Sequence, residues 1–211
     1  MKKRKIIDIQ VQSRRKNRKN IFFDDGSVFG VSEDVFLSIP IKIGDIISDQ
    51  KLNDILESES KSKVYNSAIN LLSYRMRSKS ELNERLIRKG YSKDIITDVI
   101  NILELKGYID DEKFAIAFAK EKVKNKLIGP NALKFEISSH NLDLDLVDNT
   151  IDSIYEMFPQ EMIINRLIAK WKVGSSIKKD LHAKSKVINR LKNKGFYWVN
   201  IENVINATDD N

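Results

Sequence analysis

The chain has 211 residues, of which 41% are hydrophobic and 32% charged, so it can bury a core as one large domain or two small ones. It contains no cysteine, which excludes disulfide bonds, thiolate zinc sites and a cysteine nucleophile. No apolar run approaches the ~18 residues of a membrane span, and we therefore expect a cytoplasmic protein without membrane contact.

The net charge of +7 is distributed unevenly along the chain. The first 20 residues carry nine Lys or Arg and one Asp. Two further basic segments are 75–89, with six basic and two acidic residues, and 170–194, with nine and one. Between them, segment 134–158 holds one Lys and six acidic residues. Contact with a polyanion is therefore expected at three places and not in the central segment.

The N-terminal segment has the pattern of a small antiparallel sheet. Apolar and polar residues alternate from Ile7 to Val11. Asp24-Asp25-Gly26 stands between two apolar runs, which is typical of a hairpin turn. We predict a sheet of three strands in a β-rich extension over residues 1–57, in which Ile41 to Ile47 is either a strand or a turn. The basic stretch 13–20 between the first two strands is interpreted as a loop, which is either solvated or in contact with nucleic acid.

Helical periodicity dominates after the extension. Segment 57–63 (ESESKSK) is either a flexible joint or part of a long helix, and the domain boundary is placed there. Ser78 and Glu81 have the S-x-x-E spacing of a capping box at the start of a short helix. Ser92 and either Asp110 or Asp111 are predicted to cap the two helices that follow.

The pattern of this short helix recurs at shifts of 51 and 105 residues. The equivalent positions are Leu82, Leu86 and Gly90, then Leu133, Ile137 and Asn141, then Val187, Leu191 and Gly195. The next helix repeats in step, with Ile96, Val147 and Ile201 at equivalent positions. We therefore predict three tandem helical units that share a core, over residues 64–110, 111–158 and 159–208.

No catalytic constellation is visible in the sequence. His140 and His182 are far apart and belong to no cluster with metal-ligand spacing. Neither a phosphate-binding glycine motif nor a nucleophile elbow occurs. The acidic residues of the second unit are better explained as first-turn acids and a solvated face than as a cation site; they are Asp143, Asp145, Asp148 and Asp152. We expect no enzymatic activity, cofactor or metal.

Four stretches, in this order, resemble the RecX regulators of bacterial recombination. They are LLSYRMRSKSELNERLIRKGY (71–91), GYIDDEKFA (107–115), IGPNAL (128–133) and RLKNKGF (190–196). The resemblance covers residues 64–207, and DDGSVFGVSEDVF (24–36) is similar to the β-rich extension of one branch of that family. The chain departs from the family pattern at Asn141, where glycine is usual, in its acidic second repeat and after Phe196.

This resemblance implies a mainly α protein, with three tandem three-helix repeats that form an elongated curved body behind a small antiparallel β-rich extension. It also implies a regulator without enzymatic activity. The implied partner is the recombinase RecA or its nucleoprotein filament, which such proteins bind and inhibit, with effects on recombination, DNA repair and the SOS response. Some members bind DNA. We expect a monomer.

Basic residues are the candidates for contact with DNA or the filament, through phosphate pairing without base readout. They are Arg14, Arg15, Lys16, Arg18 and Lys19 in the extension, Arg75, Arg77, Lys79, Arg85 and Arg88 in the first repeat, and Lys172, Lys178, Lys179, Lys192 and Lys194 in the third. Tyr74 is left open as a base-stacking residue. The alternative function is a sequence-specific helix-turn-helix regulator, because capped helices joined by short turns are also typical of that class.

Overall fold

The computed structural model describes residues 3–174, 177 and 180–210, the last three as backbone only. Within these residues it contains one sheet of four strands and ten helices. The strands are β1 (Lys3–Gln12), β2 (Arg15–Phe23), β3 (Val28–Ser32) and β4 (Ile46–Ser48). The helices are α1 (Glu33–Ser38), α2 (Asp49–Tyr74), α3 (Lys79–Arg88), α4 (Lys93–Leu105), α5 (Asp111–Lys126), α6 (Pro130–Ser138), α7 (Leu144–Met157), α8 (Gln160–Trp171), α9 (Leu181–Asn193) and α10 (Trp198–Asp210).

The sheet is antiparallel, in the order β3-β2-β1-β4, and corrects two predictions. It has four strands where three were predicted. Only Ser13 and Arg14 of the basic stretch 13–20 form a turn. The rest of the stretch is not a loop, because Gln12 pairs with Arg15 across that turn and β2 pairs with β1 and, from Arg18 onward, with β3. Hydrogen bonding to β1, and from Arg18 onward also to β3, outweighs the low strand propensity of Lys, Arg and Asn. The predicted hairpin turn is confirmed, with the amide of Phe23 donating to Ser27 O at 3.0 Å.

Helix α2 packs on the sheet and continues without a break into the first repeat. Its Leu52 and Ile55 join Ile6, Ile21 and Phe23 in the core of the extension. Segment 57–63 is therefore part of a long helix, and the alternative of a flexible joint is wrong. The boundary predicted at this segment falls inside α2.

The three predicted repeats correspond to three helix triplets: the end of α2 with α3 and α4, then α5 to α7, then α8 to α10. The equivalent apolar positions are all buried, from Leu82 and Leu86 to Leu133, Ile137, Val187 and Leu191. The equivalent helix ends are all left-handed, with φ of +86° at Gly90, +48° at Asn141 and +85° at Gly195. The mainly α fold with a β-rich extension is thereby confirmed.

The predicted helix caps have different outcomes. Ser78 Oγ accepts from the amide of Glu81 at 3.1 Å, and Asp110 Oδ1 accepts from the amide of Lys113 at 2.9 Å. Both caps are confirmed. Ser92 is the N-cap residue of α4, as predicted, but its side chain makes no cap hydrogen bond. The first turn of α4 is accessible to solvent, and water can satisfy its amides instead.

The described chain divides into two compact units, Met1–Arg75 with Leu82–Tyr108, and Met76–Glu81 with Ile109–Asn211. In the first unit, α4 packs on α2, and Lys61 bridges to Asp98 at 2.9 Å. In the second unit, one core runs through α5 to α10 and joins the second and third repeats.

Candidate functional site

The tip of the β1–β2 hairpin presents three of the predicted basic residues to solvent. Arg14 lies in the turn, and Arg15 and Lys16 begin β2; all three side chains are exposed. No carboxylate pairs with them among the described residues. The hairpin therefore offers three cations for phosphate contact.

Arg18 and Lys19, further along β2, already have partners inside the first unit. The Arg18 guanidinium lies 2.7 Å from Glu59 Oε1 and donates to Gly30 O at 3.0 Å. The Lys19 ammonium lies 4.1 Å from the centroid of the Phe36 ring. These contacts give Arg18 a structural role, and we leave it out of the surface that can meet a ligand.

Glu59 is a buried carboxylate that connects α2 to the sheet. Only 3% of its side chain is exposed, and it accepts from the amide of Ser32 at 2.6 Å. Burial alone would raise the pKa of Glu59, but the hydrogen bonds from Ser32 and Arg18 outweigh it and hold the pKa below its ordinary value. The pair is therefore charged at neutral pH and fixes Arg18 in place.

The basic residues of the first repeat are divided between surface and interior. Arg75, Arg85 and Arg88 are exposed, and Arg88 pairs with Glu84 at 3.1 Å. Arg77 is buried and pairs with Glu81, so it also has a structural role. Tyr74 is 77% exposed and can still be reached by a base.

Lys79 lies at the start of α3, and residues 78–80 contact the second repeat within the second unit. The Lys79 amide donates to Asp111 at 2.8 Å, and Ser78 Oγ donates to His140 O at 3.2 Å. Asn141 donates to Ser80 Oγ at 3.2 Å. The half-buried side chain of Lys79 therefore starts from a rigid backbone.

In the third repeat, Lys172 and Lys192 are exposed, while Lys178 and Lys179 lie outside the described residues. The Lys192 ammonium is 4.5 Å from the centroid of the Trp198 ring. Lys194 is half-buried and donates to Lys126 O at 2.8 Å. Burial lowers the pKa of Lys194, and the nearby charges of Arg190, Lys170 and Lys126 lower it further.

The fold brings Lys126, Lys170 and Arg190 near Lys194, and none of these three was predicted as a site residue. Arg190 and Lys194 are four residues apart at the end of α9, a spacing visible in the sequence. Lys126 and Lys170 come from α5 and α8, and no local pattern could reveal their approach. The Arg190 guanidinium also stacks on Trp171, 3.8 Å from the ring centroid.

The acidic second repeat uses several of its carboxylates internally. Asp143 is the N-cap of α7 and accepts from the amide of Asp145 at 2.9 Å, and Asp145 is a first-turn acid, as expected. Asp148 pairs with Lys134, and Glu136 pairs with Lys122 at 3.2 Å and with Lys126. No group of three His, Asp or Glu side chains with metal-binding geometry occurs in the described part of the chain.

None of the helices formed by the described residues has the length and hydropathy of a membrane span.

Two family models match the chain. The regulatory protein RecX N-terminal domain matches residues 4–48, and the first three-helix domain of RecX matches residues 65–103.

Similar proteins and structures extend this match to almost the whole chain. The regulatory protein RecX of Bacillus subtilis (strain 168) is 31% identical over 208 residues, which cover 97% of this chain and 76% of that protein. That of Clostridium botulinum (strain Eklund 17B / Type B) is 26% identical over 205 residues, which cover 95% and 94%.

Two solved structures have the same fold. A crystal structure of regulatory protein RecX superposes with a TM-score of 0.79 at 22% identity, over 96% of this chain and 99% of that one. RecX from Lactobacillus salivarius superposes with a TM-score of 0.67 at 25% identity, over 73% and 99%. The chain belongs to the RecX family of regulatory proteins.

Proposed function

We propose that this protein is a non-enzymatic, cytoplasmic regulator of homologous recombination and DNA repair that binds RecA or its nucleoprotein filament and inhibits it. The observation that carries the proposal is its similarity to regulatory protein RecX of Bacillus subtilis over 97% of the chain. Exposed cations at the hairpin tip, in the first repeat and in the third repeat support it further, because a filament contains nucleic acid whose phosphates can pair with them.

The alternation of charge along the repeats also supports a partner that consists of both protein and DNA. Basic residues predominate in segments 75–89 and 170–194, and acidic residues in segment 134–158 between them. Basic segments suit DNA phosphates, and exposed acids such as Asp145 and Asp152 suit a basic protein surface. A partner made of protein and DNA offers both surfaces, whereas naked DNA would repel the acidic segment.

The test is RecA-catalysed, single-strand-dependent ATP hydrolysis, measured with this protein at substoichiometric ratios to RecA. We expect suppression well below one molecule per RecA, because a ligand that caps a filament or lies in its groove acts on many subunits. The direct affinity of the protein for the same DNA is measured in parallel. Hydrolysis that stays unchanged, or that falls only as the protein occupies the DNA, would contradict the proposal.

Charge substitutions then distinguish the role of the acidic segment from that of the basic hairpin tip in the same assay. Asp145→Lys with Asp152→Lys should weaken suppression while DNA affinity is kept or increased. Replacing Arg14, Arg15 and Lys16 with Gln should weaken DNA affinity. If the acidic variant suppresses hydrolysis as well as the parent protein does, the acidic segment does not contact the partner.

A further inference from the structure

Four cations from three helices converge in the second unit. Lys126 ends α5, Lys170 lies in the last turn of α8, and Arg190 lies in the last turn of α9, which Lys194 follows. The charges of the other three lower the pKa of Lys194, in addition to the effect of its burial. Neighbouring like charges repel one another, so the arrangement is unfavourable unless negative charges compensate it.

The carboxylates of the described chain compensate only one of the four. Lys126 pairs with Glu136, which also serves Lys122. Lys170, Arg190 and Lys194 pair with no carboxylate among the described residues. The half-buried ammonium of Lys194 therefore has two further uncompensated cations near it, Lys170 and Arg190.

Contacts within the second unit orient two of these cations, Arg190 and Lys194. The Arg190 guanidinium is stacked on Trp171, a half-buried ring that packs against the core of the second unit. The Lys194 ammonium is held by its hydrogen bond to Lys126 O at 2.8 Å. Lys170 is exposed and can move toward a ligand. A guanidinium stacked on a ring and an ammonium that already makes a hydrogen bond lose less conformational freedom on binding an anion than unconstrained side chains do.

The dipoles of the three helices account for only part of this arrangement of cations. Lys194 caps the C-terminus of α5, where the helix dipole favours a cation, and the last turns of α8 and α9 favour cations in the same way. That effect explains a cation at each helix end. It does not explain why Lys170 and Arg190, which have no carboxylate partner among the described residues, lie near Lys194 at the same place.

We propose that Lys170, Arg190 and Lys194, with Lys126 at the edge, form a binding site for a phosphate group, and that Trp171 orients the Arg190 guanidinium. The oxygens of a phosphate can accept from a guanidinium and from two ammonium groups at once. The phosphate belongs either to a nucleic-acid backbone or to a small phosphorylated molecule. The first source deepens the nucleic-acid contact proposed above and rests on it.

The experiment uses the full chain with Trp198→Phe, which leaves Trp171 as its only tryptophan. Its fluorescence is followed during titration with an oligothymidine, with ATP and with inorganic phosphate. A response to the oligonucleotide alone assigns the site to nucleic-acid phosphate, and an equal response to ATP assigns it to a small phosphorylated ligand. Both results support the site, and no response to any of the three overturns it.

Variants make the test specific. Lys170→Gln and Arg190→Gln should each weaken binding of the responding ligand about tenfold or more, the usual effect of a lost charged hydrogen bond. Lys134→Gln removes one charge from the same unit but from a cation paired with Asp148, so binding should change by less than about twofold. Circular dichroism establishes that each variant is folded. Equal losses in all three variants would overturn the site.

The site and the proposed function can fail separately. If the parent protein does not affect RecA-dependent ATP hydrolysis while Trp171 responds to a phosphate, the function fails and the site stands. If the parent protein and the Lys170 and Arg190 variants all suppress hydrolysis equally and Trp171 does not respond, the site fails and the function stands.

Discussion

Gly129 and Gly195 lie where two backbone segments of the second unit touch. The amide of Gly129 donates to Lys194 O at 2.8 Å, and the amide of Asn131 donates to Gly195 O at 3.1 Å. A Cβ at Gly195 would lie less than 3.0 Å from the backbone of Ala132, and one at Gly129 would meet the backbone of Phe196 equally closely. A side chain at either position would therefore push the start of α6 away from the end of α9.

Gly195→Ala should lower the free energy of unfolding by roughly 2–4 kcal/mol, from the left-handed conformation together with the backbone clash. Gly90→Ala is the matched control, since Gly90 has φ of +86° against +85° at Gly195 but no atom within 4 Å of its Cβ position. It should cost only about 1 kcal/mol. Urea unfolding followed by circular dichroism measures both values, and equal losses would contradict the close approach.

At the scale of elements, the Arg18–Glu59 pair joins three parts of the first unit. Arg18 comes from β2, Glu59 from α2, and the amide that binds Glu59 from Ser32 at the end of β3. The carboxylate is buried, and its hydrogen bonds offset the cost of taking a charge out of water. The same contacts favour a continuous α2 over a joint at 57–63, because a flexible segment could not hold Glu59 against the sheet.

Glu59→Gln should therefore destabilise the protein by about 2–4 kcal/mol at neutral pH, since it leaves a largely buried Arg18 without its counter-charge. The pKa of Glu59 is lowered in the folded state, so its stabilising effect is complete above the unfolded-state pKa of about 4.3 and is lost as the pH falls through the folded-state pKa. The difference in stability between variant and parent should thus shrink below about pH 4.

Urea unfolding at a series of pH values measures this difference. Glu57→Gln is the control, because Glu57 is 60% exposed and pairs with Lys61 on the same helix. An exposed pair of this kind should contribute less than about 1 kcal/mol. A loss in Glu59→Gln that stayed constant down to acid pH would mean that the carboxylate charge is not what matters.

The sequence predicted the helical elements better than the sheet, for a physical reason. A capping residue, a periodic apolar stripe and a left-handed end lie within a dozen residues, so the helices around Leu86 and Ile137 were visible locally. The basic half of β2 has no local strand signal, because its conformation depends on pairing with β1 and β3. Asn141 occupies the position of Gly90 and Gly195 in the repeats, and the left-handed helix end was therefore predicted there although the residue is not glycine.

The candidate site was predicted less well, because charge alone does not reveal burial. Arg18 and Arg77 resemble exposed cations in the sequence, yet each pairs with a carboxylate in the structure. Glu81 is four residues from Arg77 and could have been suspected, whereas Glu59 is 41 residues from Arg18. The group around Lys194 was missed for the same reason, since it depends on three helices that are distant in sequence.

At the scale of the whole molecule, exposed cations fall into two classes that the net charge of +7 does not distinguish. Some are compensated by a carboxylate within the protein, among them Lys113, Lys134 and the partly exposed Lys61. Others, such as the three residues at the hairpin tip, have no such partner in the described chain. Only the second class can release counterions from nucleic acid without first breaking an internal pair.

This distinction predicts how salt affects DNA affinity. Replacing Arg14, Arg15 and Lys16 with Gln should reduce the slope of log affinity against log salt concentration by about 2 for single-stranded DNA, from about 0.7 per lost phosphate contact. Replacing Lys61, Lys113 and Lys134 with Gln removes the same total charge and should leave the slope almost unchanged, because each of these cations is already paired. Affinities measured between about 50 and 200 mM salt decide between the two classes. Equal changes in the two triple variants would show that the protein attracts DNA through its overall charge, and unequal changes would show that it does so through specific unpaired cations.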